Sequence, residues 1–279
     1  MSPVDTVARA AARLAEAGVA SPRVDAELLV AHVLGVPRGR LLLADPPDDA
    51  QRAALEALVA RRAAREPLQH LLGTAVLGPV EVAVGPGVFV PRPETEVLLE
   101  RALAVLGADR PVVVDLCTGT GALALALARA RPDAVVHAVE TAPEALTWAG
   151  SNLAGSGVTL HDADVTRPGV LTALDGTVDL VTCNPPYVPE GLAVPPEVHA
   201  DPPGAVFAGP DGLDVIRPVA ALAHRLLRPG GAVALEHDDS HPAAVREVLT
   251  AAGFADVTTH DDLTGRPRVA TALRRLHGS

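Results

Sequence analysis

Two stretches of this sequence place reactive residue types where they could work together. The first is VDLVTCNPPYVPE, in which Asn184-Pro185-Pro186-Tyr187 follows a run that reads as a strand. An amide or aryl-amine nitrogen is a poor nucleophile because its lone pair is delocalised. If Asn184 Oδ1 and the Pro185 carbonyl accept its two N–H hydrogens, the nitrogen is held with the lone pair facing an electrophile. The paired prolines stiffen the loop, so these acceptors are preorganised. Tyr187, the single tyrosine of the chain, is placed to pack on the flat face of the acceptor group. No strong base is needed before transfer to such a nitrogen if the electrophile is a sulfonium, because in-line alignment then supplies most of the catalysis.

The second stretch is VVVDLCTGTGALALALA, a glycine-rich turn between a strand and a helix. Gly119 and Gly121 allow a ligand to approach the backbone, and the helix behind them offers free N–H groups. The turn reads D-x-x-T-G-T-G, so the dinucleotide fingerprint G-x-G-x-x-G is absent. Asp115 would repel a pyrophosphate but can receive an ammonium group. Glu140, at the end of the next strand, can accept hydrogen bonds from both hydroxyls of a ribose. Together they describe a site for a nucleoside that bears an amino acid, as S-adenosylmethionine does. Asp164, in HDADV, either meets the adenine amino group with Val165 against the ring or is a turn residue.

These motifs need a scaffold that brings them to one edge. From Pro111 onward, strands and helices alternate: strands over 112–116, 135–139, 158–160, 178–183 and 232–236, and helices over 122–130, 143–153, 213–227 and 242–252. Two closing strands are expected at 255–259 and 268–273. That alternation predicts an α/β fold, a mostly parallel sheet covered by helices on both faces. Residues 1–70 read differently, as a bundle of four or five short helices. Apolar residues such as Val7, Ala11 and Leu14 recur at helical spacing, Ser21-Pro22 opens one helix, and another runs from Asp49 to Arg65. Between the two regions, 73–91 alternates valine with small residues between Gly-Pro pairs, which predicts a β-hairpin. A helix over 94–106 follows it.

Composition narrows the function. With 48% hydrophobic residues in 279, the chain can build a substantial core. All 23 residues of the Lys+Arg total are arginine, and the formal net charge is -11. An acidic field of this size disfavours a nucleic-acid partner and points to a protein or small-molecule substrate. Two cysteines, Cys117 and Cys183, cannot make a disulfide framework. No metal-ligand spacing is found among the histidines; His237 and His241 straddle a strand-to-helix turn. No run reaches membrane-spanning length and the N-terminus lacks a signal-peptide pattern. A cytoplasmic monomer with no membrane partner is the expectation.

The motifs together resemble the release factor glutamine methyltransferases (the HemK/PrmC family). N-P-P-Y is shared with adenine-N6 DNA methyltransferases and some RNA and protein enzymes, so an amino-group nucleic-acid methyltransferase is the competing reading. A binding protein that retains the fold without the activity is a third. The family's own signature is similar to REPLQHLLG followed by VFVPRPETE. The resemblance spans nearly the whole chain. It implies a helical substrate-docking domain (1–72), a β-hairpin linker (73–92) and a seven-stranded, Rossmann-like class I methyltransferase domain (93–279). It implies S-adenosylmethionine as cofactor, held by Asp115, Cys117, Thr118, Gly119, Thr120, Gly121, Glu140, Asp164, Val165 and Asn184. It also implies class I peptide chain release factors as substrate, with the glutamine of their Gly-Gly-Gln motif gripped by Asn184, Pro185, Pro186 and Tyr187. Phe89 and residues 91–96 would wall the site, with Arg92 and Glu94 forming a salt bridge that orders the linker. Cys117 stands where the family more usually has glycine, Glu140 where aspartate is commoner, and Val165 where the residue is often aromatic.

Overall fold

The computed structural model describes residues 2–107 and 109–276. They fall into two units. The smaller comprises the chain up to Thr74 together with the excursion Pro195–Ala200; the larger holds Ala75–Val194 and everything described from Asp201 onward.

The smaller unit is helical: α1 (Pro3–Glu16), α2 (Pro22–Leu34), a 3-10 turn at Arg38–Leu43, α3 (Asp49–Ala63) and α4 (Leu68–Leu72). Capping explains where these helices start. Ser2 and Asp5 form a capping box on α1, and Asp48 and Gln51 form one on α3, each satisfying N–H groups that the first turn leaves unpaired. Gly35, in the left-handed region, ends α2. Leu14, Leu29, Val30, Leu55 and Val59 form the core of this unit. At its edge Arg62, nearly buried, bonds Asp25 at 2.7 Å and Glu197 at 3.0 Å. Arg65 adds a second pair to Glu197 at 2.7 Å. Burial alone would raise the Glu197 pKa, but hydrogen bonds from Arg65 and Arg62 bring it down to about 2. The excursion that carries Glu197 is therefore locked into the helical unit by charge.

The larger unit opens with the hairpin β1 (Thr74–Leu77) and β2 (Val80–Ala83), followed by α5 (Thr95–Val105). Then come β3 (Val112–Leu116), α6 (Ala122–Ala130), β4 (Val135–Glu140), α7 (Pro143–Leu153), β5 (Thr159–Asp162) and β6 (Val178–Cys183). The chain closes with α8 (Ile216–Leu226), β7 (Leu227–Glu236), α9 (Pro242–Ala251), β8 (Phe254–Asp261) and β9 (Pro267–Arg274). Seven strands form one sheet in the order β5-β4-β3-β6-β7-β9-β8. The first five are parallel, and β9 is antiparallel to both β7 and β8. This is the expected mostly parallel α/β sheet, and two buried clusters, one headed by Leu98, Leu127 and Val113 and the other by Leu180's neighbours Val181, Leu226 and Leu235, cover its faces.

After the hairpin, two element starts differ from expectation by three residues or more. The helix expected from 213 starts at Ile216, because Asp211 Oδ1 accepts the Leu213 N–H at 3.1 Å and keeps that residue in the preceding turn. Strand β7 begins at Leu227, five residues early, since the chain carries Pro229-Gly230-Gly231 through an irregular register against β6. Among the described residues no helix is long and apolar enough to cross a membrane.

Candidate active site

Strand order makes the site. From β3 the chain winds outward through β4 to β5, then returns to lay β6 on the other side of β3. Such a switch point opens a crevice beyond the carboxyl ends of the two central strands. Register then sets what faces it: Leu116 is the partner of Cys183. The next residues along, Cys117 and Asn184, therefore leave the sheet side by side, one into the glycine turn and the other into N-P-P-Y.

The glycine turn is braced from below. Asp115 is 1% exposed and accepts the hydroxyls of Thr118 at 2.6 Å and Thr182 at 2.7 Å. Burial pushes its pKa up to about 6; the two threonines work against this and Glu140 adds repulsion. Glu140 Oε2 accepts the Gly119 N–H at 2.9 Å, and Oε1 accepts the N–H groups of Thr141 and Ala142. Cys117 has φ +56°, in the left-handed region that favours glycine. Gly121 has φ +81°, and a Cβ on it would lie 2.9 Å from Leu153. A side chain there would both crowd Leu153 and strain the backbone. Thr120 is buried, and its carbonyl accepts the Asn152 amide at 2.9 Å. Asn152 also exchanges two hydrogen bonds with Ala83, so one side chain ties β2 to the loop.

Asp164 forms a turn: Oδ1 accepts the N–H and hydroxyl of Thr166, and Arg167 lies on Oδ2. These bonds hold its carboxyl below the ordinary range. Val165 is buried in the second cluster. Cys183 is fully buried, and burial together with the adjacent Cys117 thiol pushes its pKa well up.

On the acceptor side, Pro185 is buried, while Asn184, Pro186 and Tyr187 are half-buried. Asn184 Nδ2 donates to Thr95 Oγ1 at 3.2 Å. The Tyr187 hydroxyl donates to Glu236 Oε1 at 2.9 Å, and burial followed by that carboxylate raises the phenol pKa well above its usual value. The Tyr187 backbone N–H bonds the Val206 carbonyl at 3.2 Å. Gly212 is tight against it, since a Cβ there would meet the Tyr187 carbonyl at 2.3 Å. Phe89 is half-buried with the Arg92 guanidinium 5.3 Å above its ring.

The linker salt bridge is corrected. Arg92 pairs with Asp201, which is 3% exposed and also accepts the Val90 N–H at 3.0 Å. A buried carboxylate answering both a cation and an N–H is the stronger partner, and the charge of Glu94 instead helps to raise the pKa of Glu236. Asn152, Asp201 and Glu236 hold the surroundings of these motifs and were missed by motif reading, whereas Thr95 falls within the 91–96 stretch expected to wall the site. Thr95 was visible inside PRPETE, and Glu236 as a charged residue closing an apolar strand; Asn152 and Asp201 carried no local signal.

The chain is similar to known proteins over nearly all of its length. The PrmC N-terminal domain family matches residues 5–73, and the methyltransferase small domain family matches 81–199. A release factor glutamine methyltransferase of Mycolicibacterium smegmatis is 60% identical over 267 residues, covering 95% of each chain. One from Streptomyces coelicolor is 51% identical, covering 97% of each. Among solved structures, a methyltransferase from Pyrococcus furiosus matches with TM-score 0.54 at 18% identity, covering 82% of this chain and all of that one, a likeness of fold.

Proposed function

The chain belongs to the release factor glutamine methyltransferase family, and from that premise we propose that it methylates the side-chain amide nitrogen (N5) of the Gly-Gly-Gln glutamine in class I release factors. The observation that carries this reading is the register of β3 on β6, which sets N-P-P-Y beside the glycine turn.

The chemistry of the cofactor side suits S-adenosylmethionine. Asp115 and Glu140 lie close enough to repel one another, and a ligand with ammonium and sulfonium charges offsets that repulsion. Glu140, Gly119 and Gly121 would hold its ribose and amino-acid ends, with Cys117, Thr118 and Thr120 forming the turn and Val165 the apolar wall. Asp164 serves this site through its turn. When bound, the cofactor supplies a methyl group on a cationic sulfur. The chain does the rest by alignment: Asn184 Oδ1 and the Pro185 carbonyl accept the two hydrogens of the glutamine amide and direct its lone pair at the methyl. One N–H proton is released to water as the new N–C bond forms. Pro186 fixes the loop, and Tyr187 and Phe89 line it.

The helical unit is the proposed docking surface for the protein substrate. Leu42 and Leu43 are 80% and 86% exposed there, a cost in water that a partner surface removes. Removing residues 1–70 is a poor test of docking, because it strips Glu197 of both arginines. Leu42→Asp is cleaner, and we expect it to raise the release-factor KM while leaving cofactor affinity alone.

The deciding experiment is mass spectrometry of a release factor incubated with this protein and S-adenosylmethionine. A single methyl group on the Gly-Gly-Gln glutamine is expected. Unmodified release factor, with the cofactor demonstrably bound, would overturn the substrate.

A further inference from the structure

For Asn184 to grip a glutamine, its amide must face one way: oxygen toward the acceptor, nitrogen away from it. The amide is nearly symmetric in shape, so packing alone does not choose between the two orientations. Hydrogen bonding behind it does. Asn184 Nδ2 donates to Thr95 Oγ1 at 3.2 Å, and Thr95, at the start of α5, is 5% exposed. Behind Thr95 stands Glu236, the last residue of β7 and fully buried. Its Oε1 accepts the Tyr187 hydroxyl at 2.9 Å. Its Oε2 makes no hydrogen bond of ordinary geometry among the described residues, yet the Thr95 hydroxyl is near enough to favour the charged carboxylate.

We propose that Thr95 and Glu236 are positioning residues that set the polarity of the Asn184 amide, through a relay running from carboxylate to hydroxyl to amide. The inference rests on the glutamine-methyltransferase reading above. A carboxylate only accepts hydrogen bonds. In the proposed relay Thr95 directs its O–H at the unpartnered Oε2 of Glu236, which leaves only lone pairs for Asn184. The amide answers with its N–H₂ end, and Oδ1 is turned to the side where the acceptor nitrogen is held. The same carboxylate fixes Tyr187 by its hydroxyl, so two residues of N-P-P-Y take their orientation from one buried acid.

The relay has a reversing condition. Burial pushes the Glu236 pKa up to about 7; Tyr187, Thr95 and Arg268 pull it down, and Glu94 adds to the rise. Tyr187 faces it from the loop after β6, Thr95 and Glu94 from the start of α5, and Arg268 from β9. Once protonated, Glu236 can donate to Thr95, which frees the threonine proton for Asn184 Oδ1. The amide then turns over and its oxygen is lost to the acceptor. Turnover should fall as pH drops through about 7.

The test uses the full chain, a release factor as acceptor, single-turnover rates at saturating substrates, and separate cofactor titrations. Thr95→Val keeps the shape and removes the relay. Its expected loss is about 10²-fold in rate, the scale for a misaligned reacting pair, with cofactor affinity changed less than about threefold. Thr95→Ser restores the hydroxyl and should recover most of that loss. Glu236→Gln offers Thr95 a donor at every pH, so it should be slow and should lack the acidic limb. The proposal is overturned if Thr95→Ser is as slow as Thr95→Val, if Thr95→Val is as fast as wild type, or if Glu236→Gln keeps both the wild-type rate and its acidic limb. Should Thr95→Val fail to fold by circular dichroism, Glu236→Gln decides alone. Wild-type protein that transfers no methyl group to a release factor refutes the underlying reading, and the relay with it; normal wild-type transfer with any of the overturning results refutes the relay alone.

Discussion

The two sides of the β3–β6 crevice are built on opposite plans. On the cofactor side, Asp115 and Glu140 are partly satisfied by nearby backbone and hydroxyl groups, and most of the side is one loop and the next strand end. On the acceptor side, Asn184 and Tyr187 depend on Thr95 and Glu236, which lie 89 and 49 residues away in sequence. The first side is a contiguous motif whose carboxylates are met largely by their own loop, with Thr182 and Asn152 as braces from elsewhere. The second is a motif whose shape is imposed by two other elements, α5 and β7. Binding and turnover should therefore separate cleanly between variants on the two sides.

The largest expected effect tests that separation directly. Asn184→Ala removes the acceptor proposed to hold the reacting nitrogen and should lower the rate by about 10²–10³-fold, with cofactor affinity within a few fold of wild type. Isothermal titration beside steady-state kinetics measures both. A parallel collapse of cofactor affinity would mean that the two sides are one unit. On the opposite side, Gly121→Ala places a Cβ 2.9 Å from Leu153 at φ +81°. Strain of this kind costs about 1–3 kcal/mol, and here it falls on the loop. The expectation is weaker cofactor binding and a lower melting temperature; any rate measured at saturating cofactor should be less affected.

This difference also explains what the sequence could tell. The glycine turn, Glu140 and N-P-P-Y were legible because each is contiguous or ends a strand whose periodicity is plain. The strand boundaries of β3 and β6 followed from their valine-rich runs. Thr95 and Glu236 were printed in the sequence, but their meaning lies in a sheet order that puts β7 next to β6 and in the packing of α5 on that edge. Asp201, bonded to Val90 across 111 residues, gave no local sign at all. The expected Arg92–Glu94 pair failed for the same reason: sequence proximity suggested a partner, and the fold supplied a more deeply buried one.

A smaller effect comes from the charge on the cofactor side. Asp115 has its pKa raised to about 6 by burial and by Glu140. As pH falls through that value, the side chain becomes neutral and a cationic ligand loses part of its attraction. Cofactor affinity should decline below about pH 6, and Asp115→Asn should flatten that dependence. S-adenosylhomocysteine, which lacks the sulfonium charge, should show a shallower decline. Equal slopes for the two ligands would place the sulfonium outside the reach of Asp115.

The smallest effect concerns stability and separates the acceptor side's two demands on Glu236. Folding raises the pKa of this carboxyl from 4.5 to about 7. Between those values the folded state holds a proton that the unfolded chain has released, so stability falls as pH rises through the interval and the loss persists above it. Glutamine does not titrate and carries no buried charge. Glu236→Gln should therefore melt higher than wild type at about pH 8, with the difference shrinking by a few degrees toward about pH 5. The same variant is expected to be slow in methyl transfer. An acid that destabilises the fold where the enzyme is active fits a residue kept for orientation, since packing alone would favour its neutral isostere. Melting curves across this pH range would sharpen the comparison. If Glu236→Gln melts lower than wild type at about pH 8, the carboxylate is a net support for the fold, and the acceptor side is as self-sufficient as the cofactor side.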